Sequence, residues 1–152
     1  MNNKVIICFL SIIALLFSAC NNPKNELLGT WTEDVDVPMA SGNINYTFEK
    51  DGNVTALLTF NASNVDCALK ANGQYTFNDK VITMTFSPKD SEFDYFRGNF
   101  TTVQPGIEES FKENFKAMMC ENALSRKIEN VEITNDTLKG ISDDTEVVLT
   151  KK

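Results

Sequence analysis

Apolar and polar side chains alternate along most of this chain. In NINYTFEK, residues 43–50, Ile44, Tyr46 and Phe48 fall at period two while Asn45, Thr47 and Glu49 take the opposite face, as in a half-buried strand. Asp51 and Gly52 follow, two residues that tolerate positive φ, and NVTALLTF then returns with Val54, Ala56, Leu58 and Phe60 on one side. The pair predicts a hairpin. Residues 65–77, VDCALKANGQYTF, read as one strand bent at Gly73, because a glycine inside a strand marks a bulge or a corner. A turn at Asn78 and Asp79 leads into KVITMTF, where Ile82, Met84 and Phe86 align.

The rhythm breaks over residues 87–105, SPKDSEFDYFRGNFTTVQP, with a proline near each end and aromatic residues between. A stretch of about 20 residues without a clear period is longer than ordinary connections and predicts a structured flap. After Pro105 the period becomes helical, with Ile107, Phe111, Phe115, Met118 and Met119 on one face and Glu108, Glu109, Lys112, Glu113 and Lys116 on the rest. That helix is expected to end near Ser125 and to plug one barrel end. Three short strands close the chain: IENVEIT, TLKGI and EVVLTKK. Counting from GTWTEDVDV, residues 29–37, the pattern predicts eight strands and one helix. Each strand has one apolar face, so the fold class is mainly β: a single eight-stranded antiparallel up-and-down barrel with one helix inserted between strands 5 and 6.

The amino terminus follows different rules. Lys4 precedes the apolar run of residues 5–17, VIICFLSIIALLF, which has the length of a secretory signal and is too short to span a bilayer. Ser18 and Ala19 then lead into Cys20. The segment resembles a bacterial lipoprotein signal, with Phe17 at the position usually held by an aliphatic residue. The resemblance implies a signal peptide over residues 1–19, cleavage before Cys20 and acylation of that residue by chains such as palmitate. Two or more chains anchor stably because each buried methylene adds about 0.8 kcal/mol. Asn21 stands where an Asp would signal inner-membrane retention, so an outer-membrane lipoprotein is expected, facing either the periplasm or the surface. Residues 20–27, CNNPKNEL, read as a polar tether, and residues 28–152 as the barrel domain.

Charge and cysteines narrow the partners. The chain carries a formal charge of −7, and Lys4 is the one charged side chain of residues 1–19, so their removal takes the charge to about −8. An acidic chain of pI about 4.6 lacks the electrostatic basis for nucleic-acid binding and is repelled by anionic lipid, leaving the lipid anchor to hold the membrane. Setting aside Cys8 and Cys20 leaves Cys67 and Cys120. In an oxidising compartment this even pair predicts a disulfide, the alternative being two buried thiols.

LLGTWTE, residues 27–33, resembles the opening of lipocalin-like domains, where Gly, a spacer and Trp begin the first strand, here Gly29, Thr30 and Trp31. YTFEKDGNV and GQYTFNDKVITMTF extend the resemblance to bacterial lipocalin-like lipoproteins over essentially the whole of residues 20–152. Lipocalins set an Arg of the last strand against that Trp. This chain ends VVLTKK, so Lys151 or Lys152 must substitute, without the planar face that stacks on indole. The resemblance implies a small hydrophobic ligand inside the barrel.

Catalysis finds little support in the residues. With no histidine, His-based triads and the commonest neutral-pH base are excluded, and two remaining cysteines are too few for a usual zinc site. Asp90, Glu92 and Asp94 alternate in KDSEFD, but no glycine-bearing calcium loop accompanies them. No enzyme activity, cofactor or metal is expected. Tyr46, Phe48, Leu58, Phe60, Tyr75, Phe77, Met84 and Phe86 form the predicted inward set, able to fill a narrow barrel as core or to line a small apolar site. A protein-interaction lipoprotein, such as an envelope enzyme inhibitor or immunity-type protein with an acidic surface for a basic target, is the alternative.

Overall fold

The computed structural model describes residues 23–37, 40–62, 65–98 and 107–152. Among these residues eight strands pair in sequence order and close into an antiparallel up-and-down barrel. They are β1 (Gly29–Val37), β2 (Ala40–Phe48), β3 (Asn53–Ala62), β4 (Val65–Asn78), β5 (Val81–Gly98), β6 (Arg126–Ile133), β7 (Thr137–Ser142) and β8 (Thr145–Lys151). A short helix, α1 (Pro23–Leu27), precedes β1. A longer one, α2 (Ile107–Met118), continues as a π-helical turn over Met119–Leu124 and lies between β5 and β6, as expected. The signal segment, residues 1–19, and Cys20 lie outside the described residues.

Turn chemistry explains the hairpins. Gly52 has a φ of 89°, its N–H donates to Glu49 O at 3.3 Å, and Asp51 Oδ1 accepts from the Asn53 N–H at 3.1 Å. Asp79 and Lys80 join β4 to β5 with φ of 48° and 63°; Asp143 and Asp144 join β7 to β8 at 49° and 62°. Two consecutive positive φ values suit the primed turns whose twist matches paired strands. The β4–β5 turn is thus centred one residue later than the Asn78–Asp79 reading, and Asn78 instead pairs with Val81.

The bend of β4 lies where the glycine indicated. Register slips between Ala71 and Gly73, and a Cβ on Gly73 would stand 2.4 Å from Thr85 O and 2.7 Å from the Phe86 ring. The flap expected over residues 87–105 is corrected: β5 continues to Gly98, while residues 99–105 fall outside the described part. Two irregularities hide the strand period. Residues 87–90 bulge out opposite Asn72, and Asp94 is an extra residue beside the Ala68–Leu69 step. Each slip changes which parity faces inward, so no single alternation survives along β5.

The barrel wall is uneven in height. Among the described residues β6 meets β5 through Ile82, Thr83 and Met84, and β8 meets β1 at Trp31–Lys151 and Thr32–Thr150. The β1–β5 side therefore rises above the β6–β8 side, and the helical insertion packs against the extra length of β5. Ser125 fastens this junction, accepting from the Phe86 N–H at 2.8 Å and donating to Phe86 O at 3.3 Å. Phe115, Cys120 and Leu124 all turn into the barrel although spaced five and four apart. A spacing of five would rotate a straight α-helix face by about 140°, and the wider π turn takes up that mismatch.

At the low end, the tether reading changes. Residues 23–27 form α1, and Leu27 is fully buried, its carbonyl accepting from Trp31 Nε1 at 2.7 Å.

Candidate ligand site in the barrel

The predicted inward set does come together. Tyr46, Phe48, Leu58, Tyr75, Met84 and Phe86 are buried in one cluster, with Phe60 and Phe77 half-buried against it. In the lower barrel they fill the interior with each other. Phe48 meets Tyr75 edge-on at 5.0 Å between ring centroids, and Tyr46 lies 6.2 Å from Phe48 and 6.5 Å from Phe86. Such distances are those of packed aromatic pairs, so most of this set serves as core.

The upper barrel is built differently. Beneath α2, Phe115 gathers Phe60 at 5.9 Å, Phe96 at 5.9 Å and Phe93 at 6.4 Å, and Phe111 follows at 6.1 Å. Strands β3 and β5 thus contribute one side of an aromatic mouth and the helix the other. The plug expected from the helix is partly corrected. Phe115 is buried and Met119 packs on the core, whereas Ile107, Phe111 and Met118 are 49%, 39% and 46% exposed.

Between packed floor and aromatic mouth sits a polar trio that joins Tyr46 of the predicted set to Glu33 and Arg126, two residues that sequence reading missed. Arg126, the first residue of β6, donates Nη1 to Glu33 Oε1 at 3.1 Å and Nη2 to Glu33 Oε2, a bidentate pair spanning 93 positions of sequence. Both side chains are mostly buried, at 13% and 15% exposure. The guanidinium carbon also lies 5.4 Å from the Tyr46 ring centroid. Tyr46 Oη and Arg126 Nε are buried and have no hydrogen-bond partner among the described residues. Burial raises the Tyr46 pKa, the Glu33 charge adds to this and Arg126 opposes it, so at neutral pH the phenol keeps its proton. Burial disfavours the Arg126 charge, yet Tyr46, Glu33 and Asp143 together hold its pKa above the ordinary value. The signal for Glu33 was its place between Trp31 and Val35 on the inward parity of β1.

The predicted disulfide is corrected. Cys67 and Cys120 are both buried free thiols. Cys120 Sγ is 3.2 Å from Ser91 Oγ, and Ser91 pairs with Ala71, four residues along β4 from Cys67. At about 3.3 Å per residue Cys67 stands about 13 Å along β4 from Ala71, the strand position beside which Cys120 sits, whereas a disulfide joins Cα atoms about 4–7 Å apart. Burial, then the Asp66 charge, pushes the Cys67 thiol up to about 11; burial also raises Cys120 against opposing contributions from Ser91 and Lys116.

Asp90, Glu92 and Asp94 are exposed on the outside of β5. Asp90 and Glu92 border an open outer groove of about 590 Å³ with Asn72, Gln74, Thr85 and Lys89, a polar lining with no aromatic platform. Among the described residues no cluster of His, Cys, Asp and Glu has the makings of a metal site.

These features define a closed eight-stranded antiparallel β-barrel, compatible with a lipocalin-like fold. No family model matches the chain, and no curated protein matches it.

Proposed function

We propose that this chain is a non-catalytic, lipid-anchored binding protein of the cell envelope, receiving a small hydrophobic molecule at the mouth of its barrel. The observation that carries this reading is the aromatic cluster of Phe60, Phe93, Phe96, Phe111 and Phe115, which joins the tall strands to α2 above a packed floor. Small-molecule sites are lined mainly by apolar and aromatic side chains and often lie between separate elements, as this cluster does. The lipoprotein-like segment ending at Cys20 supplies the anchor and an outer-membrane address.

Every described element lies between Pro23 and Lys151, so a chain of residues 21–152 keeps the whole barrel free of its anchor. Purified gently, this form is expected to carry an apolar compound visible by native mass spectrometry and to bind N-phenyl-1-naphthylamine saturably. Finding neither would refute the carrier reading. For the anchor, metabolic labelling with palmitate should mark the full chain and spare Cys20→Ser.

A protein-interaction lipoprotein is the second reading, favoured by the exposure of Ile107, Phe111 and Met118 on α2 among Glu108, Glu109 and Glu113. It gains if a basic envelope protein is recovered at low ionic strength and released by salt while the apolar probe fails to bind.

A further inference from the structure

We propose that Tyr46 and Arg126 form the polar end of the ligand site and donate hydrogen bonds to the carbonyl oxygen of a neutral amphiphile, such as a long-chain ester or amide. The inference rests on the carrier reading and names the chemistry of its ligand. The Arg126 guanidinium lies over the ring of Tyr46, which has no exposed surface, and each side chain keeps one buried polar atom, Tyr46 Oη and Arg126 Nε, without a partner among the described residues. Buried donors left unpaired are costly, so native interiors rarely keep them without a reason. The Nε–H donates only and a protonated phenol donates readily, so together they suit an acceptor oxygen.

Charge selects the kind of acceptor. Glu33 already holds Arg126 through two hydrogen bonds, so the trio is neutral before any ligand arrives. A carboxylate headgroup would bring a second negative charge beside Glu33 in a site shielded from water, where an unbalanced charge is strongly disfavoured. An ester or amide carbonyl accepts the same hydrogen bonds without that charge.

Position selects the direction of the chain. Arg126 pairs with Met84 at the upper end of the short wall, just before Ser125 ties the helical turn to Phe86. Above it are Phe93 and Phe115; below it are the packed rings of Phe48 and Tyr75. A headgroup at Arg126 therefore leaves its alkyl chain pointing toward the aromatic mouth.

The test uses residues 21–152 and displacement of N-phenyl-1-naphthylamine by methyl dodecanoate, dodecanoate and dodecane. Methyl dodecanoate is expected to bind more tightly than dodecanoate. Tyr46→Phe should lower the ester-to-dodecane affinity ratio by about fivefold, the size of one hydrogen bond. Glu33→Gln should shift preference toward dodecanoate, because Arg126 then carries unbalanced charge. An ester-to-alkane ratio unmoved by Tyr46→Phe, or a wild-type preference for the acid, overturns the subsite even if the probe binds well. Failure of the probe itself overturns the carrier reading and the subsite together.

Discussion

Lys151 Nζ stands 5.1 Å from the centroid of the Trp31 ring, inside the distance at which a cation is attracted to an indole face. The same ammonium donates to Glu26 O at 3.4 Å, and the Lys151 backbone pairs with Trp31 where β8 closes the barrel on β1. One lysine thus ties the last strand, the first strand and α1 together. Of the two lysines that end the chain, Lys151 is the one set against Trp31.

Replacing Lys151 by Ala should lower unfolding stability by about 1 kcal/mol, the scale of a partly shielded cation–π contact. Lys151→Arg should retain most of it. Trp31 is the single tryptophan, so its own fluorescence during urea unfolding reports both outcomes.

The Glu33–Arg126 pair should behave as a unit. Removing one partner leaves a poorly solvated charge, so Glu33→Leu or Arg126→Met alone should each cost about 2–4 kcal/mol, less than a fully buried pair because both side chains keep some exposure. The double variant should be less destabilised than the sum of the two. By contrast Tyr46→Phe removes a buried hydroxyl that has no partner among the described residues and should leave stability unchanged or raise it by up to about 1 kcal/mol. A double-mutant cycle by denaturant titration checks all three.

Cys67 supplies a pH signature. Its folded-state pKa of about 11 lies above the ordinary value of 9.0, so the native state holds the thiol proton more tightly than the unfolded chain does. The resulting stability is fully present below pH 9 and is lost as pH rises toward 11. The difference in denaturation midpoint between wild type and Cys67→Ala should accordingly shrink across that window. Alkylation of the unreduced, unfolded protein should label both Cys67 and Cys120.

Gly42 tests how closely β2 and β3 approach. A Cβ there would lie 2.0 Å from Thr59 O, a backbone atom that cannot swing away. Gly42→Ala should therefore destabilise by about 2 kcal/mol, the usual scale of overpacking, measurable as a lowered thermal midpoint.

Local pattern carried much of the architecture. The β2–β3 hairpin, the bend at Gly73 and the helix between β5 and β6 were all legible because period, glycine and turn residues report on their own neighbourhood. The tail of β5 was not. Its bulges at residues 87–90 and Asp94 shift the inward parity twice, and a period counted along one strand cannot register residues that have no partner across it. The exposed ends of α2 were hidden for a related reason: apolar spacing marks a face, and its fit over the barrel decides how much of that face is covered.

What the sequence determined by itself is which side chains share a face along the regular strands, where the hairpins turn to within a residue, and hence that eight strands enclose one interior. These follow from steric limits acting over a few residues. The tertiary structure decided which distant residues meet. It brought Arg126 against Glu33 and Tyr46, held Cys67 away from Cys120, and raised one wall above the other, because barrel closure, register and strand length are fixed by pairings across the whole chain.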